Sequence, residues 1–294
     1  MMGRLVIMGS GELAPGLVAT HRAGVEAAGA DKVVLLDTPF GFQENVEQLT
    51  DRLVTFFATS LNLPSEVASL RNRRANDSER ERFLAAIRRA RYVFAGPGSP
   101  SYALDIWRDI GTAGALHSVR TDGGTVTFAS AASLALGHTT IPVYEIYKVG
   151  AEPTWLEGLD LMADLGLPCS VVPHWNNAEG GNHDTSRCYI GERRLKTLEN
   201  DLEVGILGVD EHTAAIIDLG RGDLCSRIFT TRHQETNHKE KHCRSHGTSV
   251  PLRMVIAPRR SRAAIDLITS IHKRRKCRKS QAKCKTCDPS DSPG

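Results

Sequence analysis

Gly123-Gly124-Thr125-Val126-Thr127-Phe128-Ala129-Ser130-Ala131-Ala132-Ser133-Leu134-Ala135-Leu136-Gly137 is the stretch from which the fold is read. A glycine pair precedes four residues of strand character, Thr125 to Phe128. The chain then turns at Ala129-Ser130-Ala131, and small apolar residues of good helix propensity follow. A strand that turns sharply into a helix with Ser at the corner has the layout of a nucleophile elbow. Such a corner lifts the hydroxyl above the sheet edge and sets it at a helix N-terminus, where unpaired N–H groups face negative charge. The usual elbow, G-x-S-x-G, keeps small residues two before and two after the Ser. Here those positions hold Phe128 and Ala132. Phe128 tells against a tight elbow, so a buried small-residue turn stands beside it as the other reading.

Outward from this window, short apolar runs alternate with helical patterns. Arg4–Met8, Lys32–Asp37 and Arg91–Ala95 read as buried strands, and Cys169–Val172 and Val204–Val209 as two more. Helices are expected from Pro15 to about Ala28, Glu44 to Leu61, Tyr102 to Val119, Trp155 to Leu165 and Ile190 to Asn200. Another is expected over Ser78–Arg89, with Ser78 as its cap and Glu81 three residues on. Ile141–Gly150 alternates like an irregular or edge strand. Strands alternating with helices predict a mostly parallel sheet covered on both faces, and ligands then lie beyond the carboxyl ends of the strands. The loops to inspect are therefore Gly9–Glu12, Gly96–Ser99, Ala129–Ala131 and the one opened by Pro173-His174.

A Ser nucleophile needs a base and an acid that orients the base. Ser130, His174 and Glu211 each follow a predicted strand, so one sheet edge can bring them together. The N–H groups of the Gly98 loop and of Ala131 can face a developing oxyanion. Asn177, Glu179, His183 and Asp184 lie in a loop dense in polar groups. With no further ligand at a fixed spacing, they read as substrate or loop contacts rather than as a metal site. The Gly9–Glu12 turn lacks the P-loop Lys and the dinucleotide spacing, and Asp37 mimics the dinucleotide acid only weakly. Nothing calls for a metal or an organic cofactor.

The body, roughly residues 3–220, resembles the dipeptidase E and cyanophycinase family of serine peptidases. The likeness rests on Met8-Gly9-Ser10-Gly11-Glu12, Gly96-Pro97-Gly98-Ser99, the Ser130 elbow, Pro173-His174 and Gly208 to Ala214. It implies an α/β three-layer sandwich of the class I glutamine amidotransferase-like (flavodoxin-like) kind. It also implies that Ser130 is the nucleophile, His174 the base and Glu211 the acid, as in the cyanophycinase branch, with Gly98 and Ala131 giving the oxyanion N–H groups. That family cleaves dipeptides starting with Asp, or β-aspartyl-arginine polymer. The elbow departs from the family's G-x-S-A-G, and the loop after His174 lacks Arg between Asn177 and Thr185, so specificity does not carry over. The expectation is a Ser-dependent hydrolase of a small peptide or amide, acting through an acyl-enzyme. The alternative is an inactive relative that uses the pocket for binding.

Composition bounds the rest. The chain has 294 residues, 40% hydrophobic and 24% charged, with a net charge of +3. Residues 225–294 hold 17 Lys and Arg against 5 Asp and Glu, a balance of +12, which leaves 20 against 29, or −9, in residues 1–224. An acidic body, 1–224, followed by a basic Cys- and His-containing extension, 225–294, poorly ordered in part, is the domain expectation. Eight Lys or Arg lie between Lys273 and Lys285 with no acid among them, so contact with a polyanion through the phosphates is open. The tail's His and Cys residues lack two regular pairs for zinc. Seven Cys with no secretory h-region argue against a disulfide framework and for a cytoplasmic protein. No apolar run approaches a membrane span, and a homodimer is allowed for.

Overall fold

The computed structural model describes residues 3–218 and the backbones of two later strands, Arg227–Arg232 and Met254–Val255. Its central sheet has seven strands. Five are parallel: β1 (Arg4–Met8), β2 (Val33–Leu36), β3 (Ser65–Ala68), β4 (Tyr92–Ala95) and β5 (Thr125–Ala129). Helices α1 (Val18–Ala28), α2 (Val46–Leu61), α3 (Asp77–Arg89), α4 (Pro100–Trp107) and α5 (Thr112–Thr121) connect them. The elbow helix is α6 (Ala131–Ala135). A two-stranded ribbon, β6 (Thr139–Thr140) and β7 (Leu156–Glu157), precedes β8 (Cys169–Val172), α7 (Gly191–Glu199), β9 (Gly205–Gly208) and β10 (Thr213–Asp218). With β11 (Arg227–Arg232), the large sheet runs β11-β10-β1-β5-β4-β2-β3, and β10 and β11 are antiparallel. The mostly parallel α/β architecture is the expected one.

The apolar runs form the parallel strands because both of their faces are covered. All four residues of β2 and of β4 and all five of β5 are buried. On the α1 and α2 side, Val6, Met8, Leu35, Phe57, Tyr92 and Phe94 pack together. Each fully buried side chain of this kind contributes about 1.5–3 kcal/mol.

Several local expectations are corrected. His174 and Glu211 do not follow strands of the large sheet. β8 and β9 pair in parallel with each other, and β12 (Met254–Val255) pairs antiparallel to β9, in a separate three-stranded sheet. The two sheets meet at their carboxyl ends, where the N–H of His174 donates to the carbonyl of Gly9 at 3.3 Å. The helix expected over Tyr102–Val119 is two helices, separated at Gly111, where φ is +82°. Ile141–Gly150 holds a π-helical turn, Glu145–Val149, with Val143 and Ile146 buried at a helical rather than a strand spacing. Trp155–Leu165 is not one helix: it holds β7 and only a short 3-10 turn, Ala163–Leu165. The N–H groups of Gly158, Leu159 and Asp160 donate to the carbonyls of His138, Ala135 and Gly137, and these tertiary bonds replace helical ones. The cap of α3 is Asn76, not Ser78: its side chain accepts the N–H of Glu79, whose carboxylate accepts the N–H of Asn76. β3 was not expected, because a one-sided edge strand beginning Ser65-Glu66 carries no apolar run.

The described residues fall within one compact unit, Met1–Ala257. β11 and β12 lie in the range read as an extension, and their backbones pair with strands of the body. The tail's His and Cys residues and the basic run lie outside the described residues. Among the described residues no helix is long and apolar enough to cross a membrane.

Candidate active site

β5 ends one residue before Ser130, beside the end of β1, with Met8 opposite Ala129. The N–H of Ser130 donates to the Met8 carbonyl at 3.2 Å. Ser130 has φ 52° and ψ −121°. A non-glycine residue holds such a conformation only where its surroundings force it, and such residues gather at functional sites. Two groups, the Ser133 hydroxyl and the Ala132 N–H, supply the force. The buried hydroxyl of Ser133 reaches the carbonyls of Phe128 at 2.8 Å and of Met8 at 3.0 Å, and the N–H of Ala132 reaches the Gly96 carbonyl at 3.3 Å.

Phe128 does not obstruct the turn. It is fully buried, and its ring packs against Trp107 of α4 at 5.8 Å between centroids. The bulk that told against a tight elbow is absorbed by the α4 layer.

The Ser130 hydroxyl lies 2.8 Å from Nε2 of His174, and Nδ1 of His174 lies 2.8 Å from Oε1 of Glu211. A hydroxyl, an imidazole and a carboxylate in one hydrogen-bonded line can move the hydroxyl proton to the ring while the carboxylate holds the ring's tautomer. Partial burial works to raise the Glu211 carboxyl. Hydrogen bonds from Asn177 and His174 and the charges of His174 and His212 outweigh it, and the net shift is downward, toward the ionised form an orienting acid needs.

The N–H groups of Gly98 and Ala131 have no acceptor among the described residues. Gly98 sits at φ +139°, and a Cβ there would stand 2.0 Å from the carbonyl oxygen of Pro39, so only glycine fits. The Gly96–Ser99 loop also opens α4, with the Ser99 hydroxyl accepting the N–H of Tyr102 at 3.2 Å.

The other expected contacts divide. Asn177 faces inward: it is 3% exposed, its amide donates to Glu211 Oε1 at 2.9 Å, and its carbonyl accepts the N–H of Glu179. It supports the carboxylate rather than meeting a substrate. Asp184 is also corrected. Its carboxylate accepts the N–H of Ser186 at 2.9 Å and of Glu192, in the first turn of α7, at 2.7 Å; the Ser186 side chain foremost, and these two N–H groups with it, lower its pKa. It anchors the loop and the helix. Glu179 is exposed and accepts the Tyr189 hydroxyl at 3.2 Å, and exposed His183 stacks on Tyr147 at 6.2 Å. Asp37 is structural, taking bonds from the Ser69 hydroxyl, the Leu70 N–H and the Arg71 guanidinium. Among the described residues no group of three or more His, Cys, Asp or Glu is arranged to hold a metal ion.

Four participants were not anticipated. Asn176 accepts the N–H of Glu211 at 2.8 Å. The Tyr189 ring lies 5.2 Å from that of His174, and it belongs to a left-handed run, Arg187 to Tyr189, with φ between 58° and 67°. His212, at φ 52°, packs its ring against Gly11, and Glu12 is buried in the turn after β1. Position in a post-strand loop was a signal for Glu12, Asn176 and His212; Tyr189 had none. The two body thiols are buried and do not compete with Ser130: burial pushes Cys169 up to about 12, and it raises Cys188 as well.

No family model matches the sequence, and no curated protein matches it. Among solved structures, the fold is similar to that of a peptidase from an acI-B1 Actinobacterium. The identity is 17%, with 88% of this chain and 96% of that one covered and a TM-score of 0.56. It is also similar to a candidate peptidase E protein from Listeria monocytogenes EGD-e, again at 17% identity, with 80% and 100% covered and a TM-score of 0.54. At this identity the likeness establishes the fold.

Proposed function

We propose that the chain is a Ser-dependent hydrolase that cleaves a small peptide or amide through an acyl-enzyme. The observation that carries the reading is the Ser130–His174–Glu211 line, with both hydrogen bonds at 2.8 Å, on a strained strand-to-helix corner. The peptidases of similar fold support it.

In this reading the Ser130 oxygen attacks the scissile carbonyl as its proton passes to Nε2 of His174. The N–H groups of Gly98 and Ala131 receive the oxyanion. The tetrahedral adduct collapses, His174 gives its proton to the leaving amine, and an ester of Ser130 remains. Water, deprotonated by His174, then releases the acid. Glu211 holds His174 through Nδ1 and stabilises the imidazolium, and Asn177 holds Glu211.

A fluorophosphonate probe tests this. The wild type is expected to be labelled at Ser130. Ser130→Ala removes the label, and His174→Ala slows labelling by about 10³-fold or more. A wild type that stays unlabelled, or a Ser130→Ala variant that labels normally, overturns the proposal.

A further inference from the structure

The two hydrogen bonds of the His174 ring lie in its plane, to Ser130 through Nε2 and to Glu211 through Nδ1. Both nitrogens are then used. Any further support for the charge this ring gains comes from its faces or its C–H edges. Tyr189 stands there: its ring centroid is 5.2 Å from that of His174, with 52° between the planes. A cation within about 6 Å of an aromatic centroid is drawn to the ring's electron-rich face. The Tyr189 hydroxyl donates to Glu179 Oε2 at 3.2 Å, and a hydroxyl polarised by a carboxylate makes its ring richer in electrons.

The backbone that carries Tyr189 is strained. Arg187, Cys188 and Tyr189 have φ of 58°, 59° and 67°, three successive non-glycine residues in left-handed backbone. Such residues persist only where their surroundings over-determine them. Here those surroundings are His174 and its neighbour. The N–H of Cys188 donates to the His174 carbonyl at 3.2 Å. The N–H of Arg187 donates to the Trp175 carbonyl at 3.1 Å, and the Arg187 guanidinium reaches the same carbonyl at 2.7 Å. That guanidinium lies 4.1 Å over the Trp175 ring. Buried Cys188 anchors the middle of the run, and the N–H of Tyr189 donates to the Thr185 carbonyl at 2.9 Å. The strained run is tied to the backbone of the base, and the group it delivers to the base is the Tyr189 ring.

On the Ser-hydrolase reading, we infer that Tyr189 is a positioning residue that stabilises the protonated form of His174 through its ring and so assists proton transfer from Ser130. As the Ser130 proton passes to Nε2, the imidazole becomes a cation held by the Glu211 carboxylate in its plane and by the aromatic ring against it. Tyr189 forms no bond to substrate and takes no proton. Other groups face the same charge. Glu211 after β9 and Glu12 after β1 both interact with it, and His212 acts on those two carboxyls. The Cys188 thiol is buried, and burial keeps it protonated. All of these remain in the variants below.

The test is the pH profile of fluorophosphonate labelling in the full-length chain. Labelling needs neutral His174, so its rate climbs with pH to a plateau. Loss of the ring weakens the hold of His174 on its proton. Tyr189→Leu is therefore expected to lower the plateau rate about 3- to 10-fold and to move the half-maximal pH down by about half to one unit, one free energy read in two ways. Tyr189→Phe keeps the ring and should stay within about twofold and roughly 0.3 unit of wild type. Pentafluorophenylalanine at position 189 keeps the shape of Phe but reverses the charge pattern of the ring face, and it should behave like the leucine variant.

A Tyr189→Leu plateau that falls while the half-maximal pH stays or rises would show a packing role only and overturns the inference, as does an unchanged plateau. A Tyr189→Phe variant that shifts as far as the leucine variant overturns it too, as does a pentafluorophenylalanine variant that behaves like Tyr189→Phe. This last pair decides alone if Tyr189→Leu does not fold. All these outcomes leave Ser130 as the nucleophile. Absence of wild-type labelling overturns the hydrolase reading, and this inference with it.

Discussion

Ser130 holds its positive φ against its own side chain, and Gly would hold it without strain. Residues kept in such regions carry about 1–3 kcal/mol each. Ser130→Gly is therefore expected to be more stable than wild type by about 1 kcal/mol in urea unfolding while losing all fluorophosphonate labelling. A variant less stable than wild type would mean that the Ser130–His174 hydrogen bond outweighs the strain. The same tension recurs around the site. His174 at φ 47°, Tyr189 at 67° and His212 at 52° are all non-glycine residues in left-handed backbone. Ser130, His174 and Glu211 were legible from the sequence because each is a reactive type directly after a strand. Asn177 was legible as a polar loop residue, but its direction was not. Whether an amide faces a substrate or the back of a carboxylate depends on where Glu211, 34 positions away, is brought.

Among the elements, α3 shows what a local signal fixes. Asn76 and Glu79 satisfy each other's N–H groups, and Asp77 and Glu79 stand in the positive first turn, while Arg88 and Arg89 stand in the last. Asn76→Ala is expected to lower global stability by about 1 kcal/mol and to speed amide exchange in the first turn of α3, leaving the far end unaffected. Uniformly faster exchange along α3 would show that the cap does not act locally. Sequence located this helix but placed its cap two residues late, because Ser78 followed by Glu81 has the same spacing as Asn76 followed by Glu79. It missed β3 and gave the wrong structure to Ile141–Gly150 and to Trp155–Leu165. In those stretches the backbone's partners lie in other elements, and periodicity within the stretch carries no record of them.

Across the whole molecule, His21 joins the core to the site. It is fully buried among Phe56, Phe57, Tyr92 and Phe94, with Nδ1 on the Tyr92 hydroxyl and Nε2 on the Glu12 carbonyl, both at 2.8 Å. Burial lowers its pKa from 6.5 to about 4. The folded state binds the proton less readily than the unfolded chain, so the stabilisation is complete above pH 6.5 and is lost as pH falls from there to about 4, by about 3 kcal/mol in all. Urea midpoints measured between those pH values should show this slope in wild type and lack it in His21→Gln. Equal slopes would exclude His21 as the source. What the sequence alone determined is the alternation of most strands and helices, the parallel sheet and the short list of reactive residues near strand ends. These follow from hydrophobic period and residue type, which are local. Only the tertiary structure decided that His174 and Glu211 ride on a separate sheet, that Phe128 is absorbed beneath α4, and that Glu12 is buried in the turn after β1. Each of these depends on which surfaces the chain packs together, and burial is a property of the packed whole.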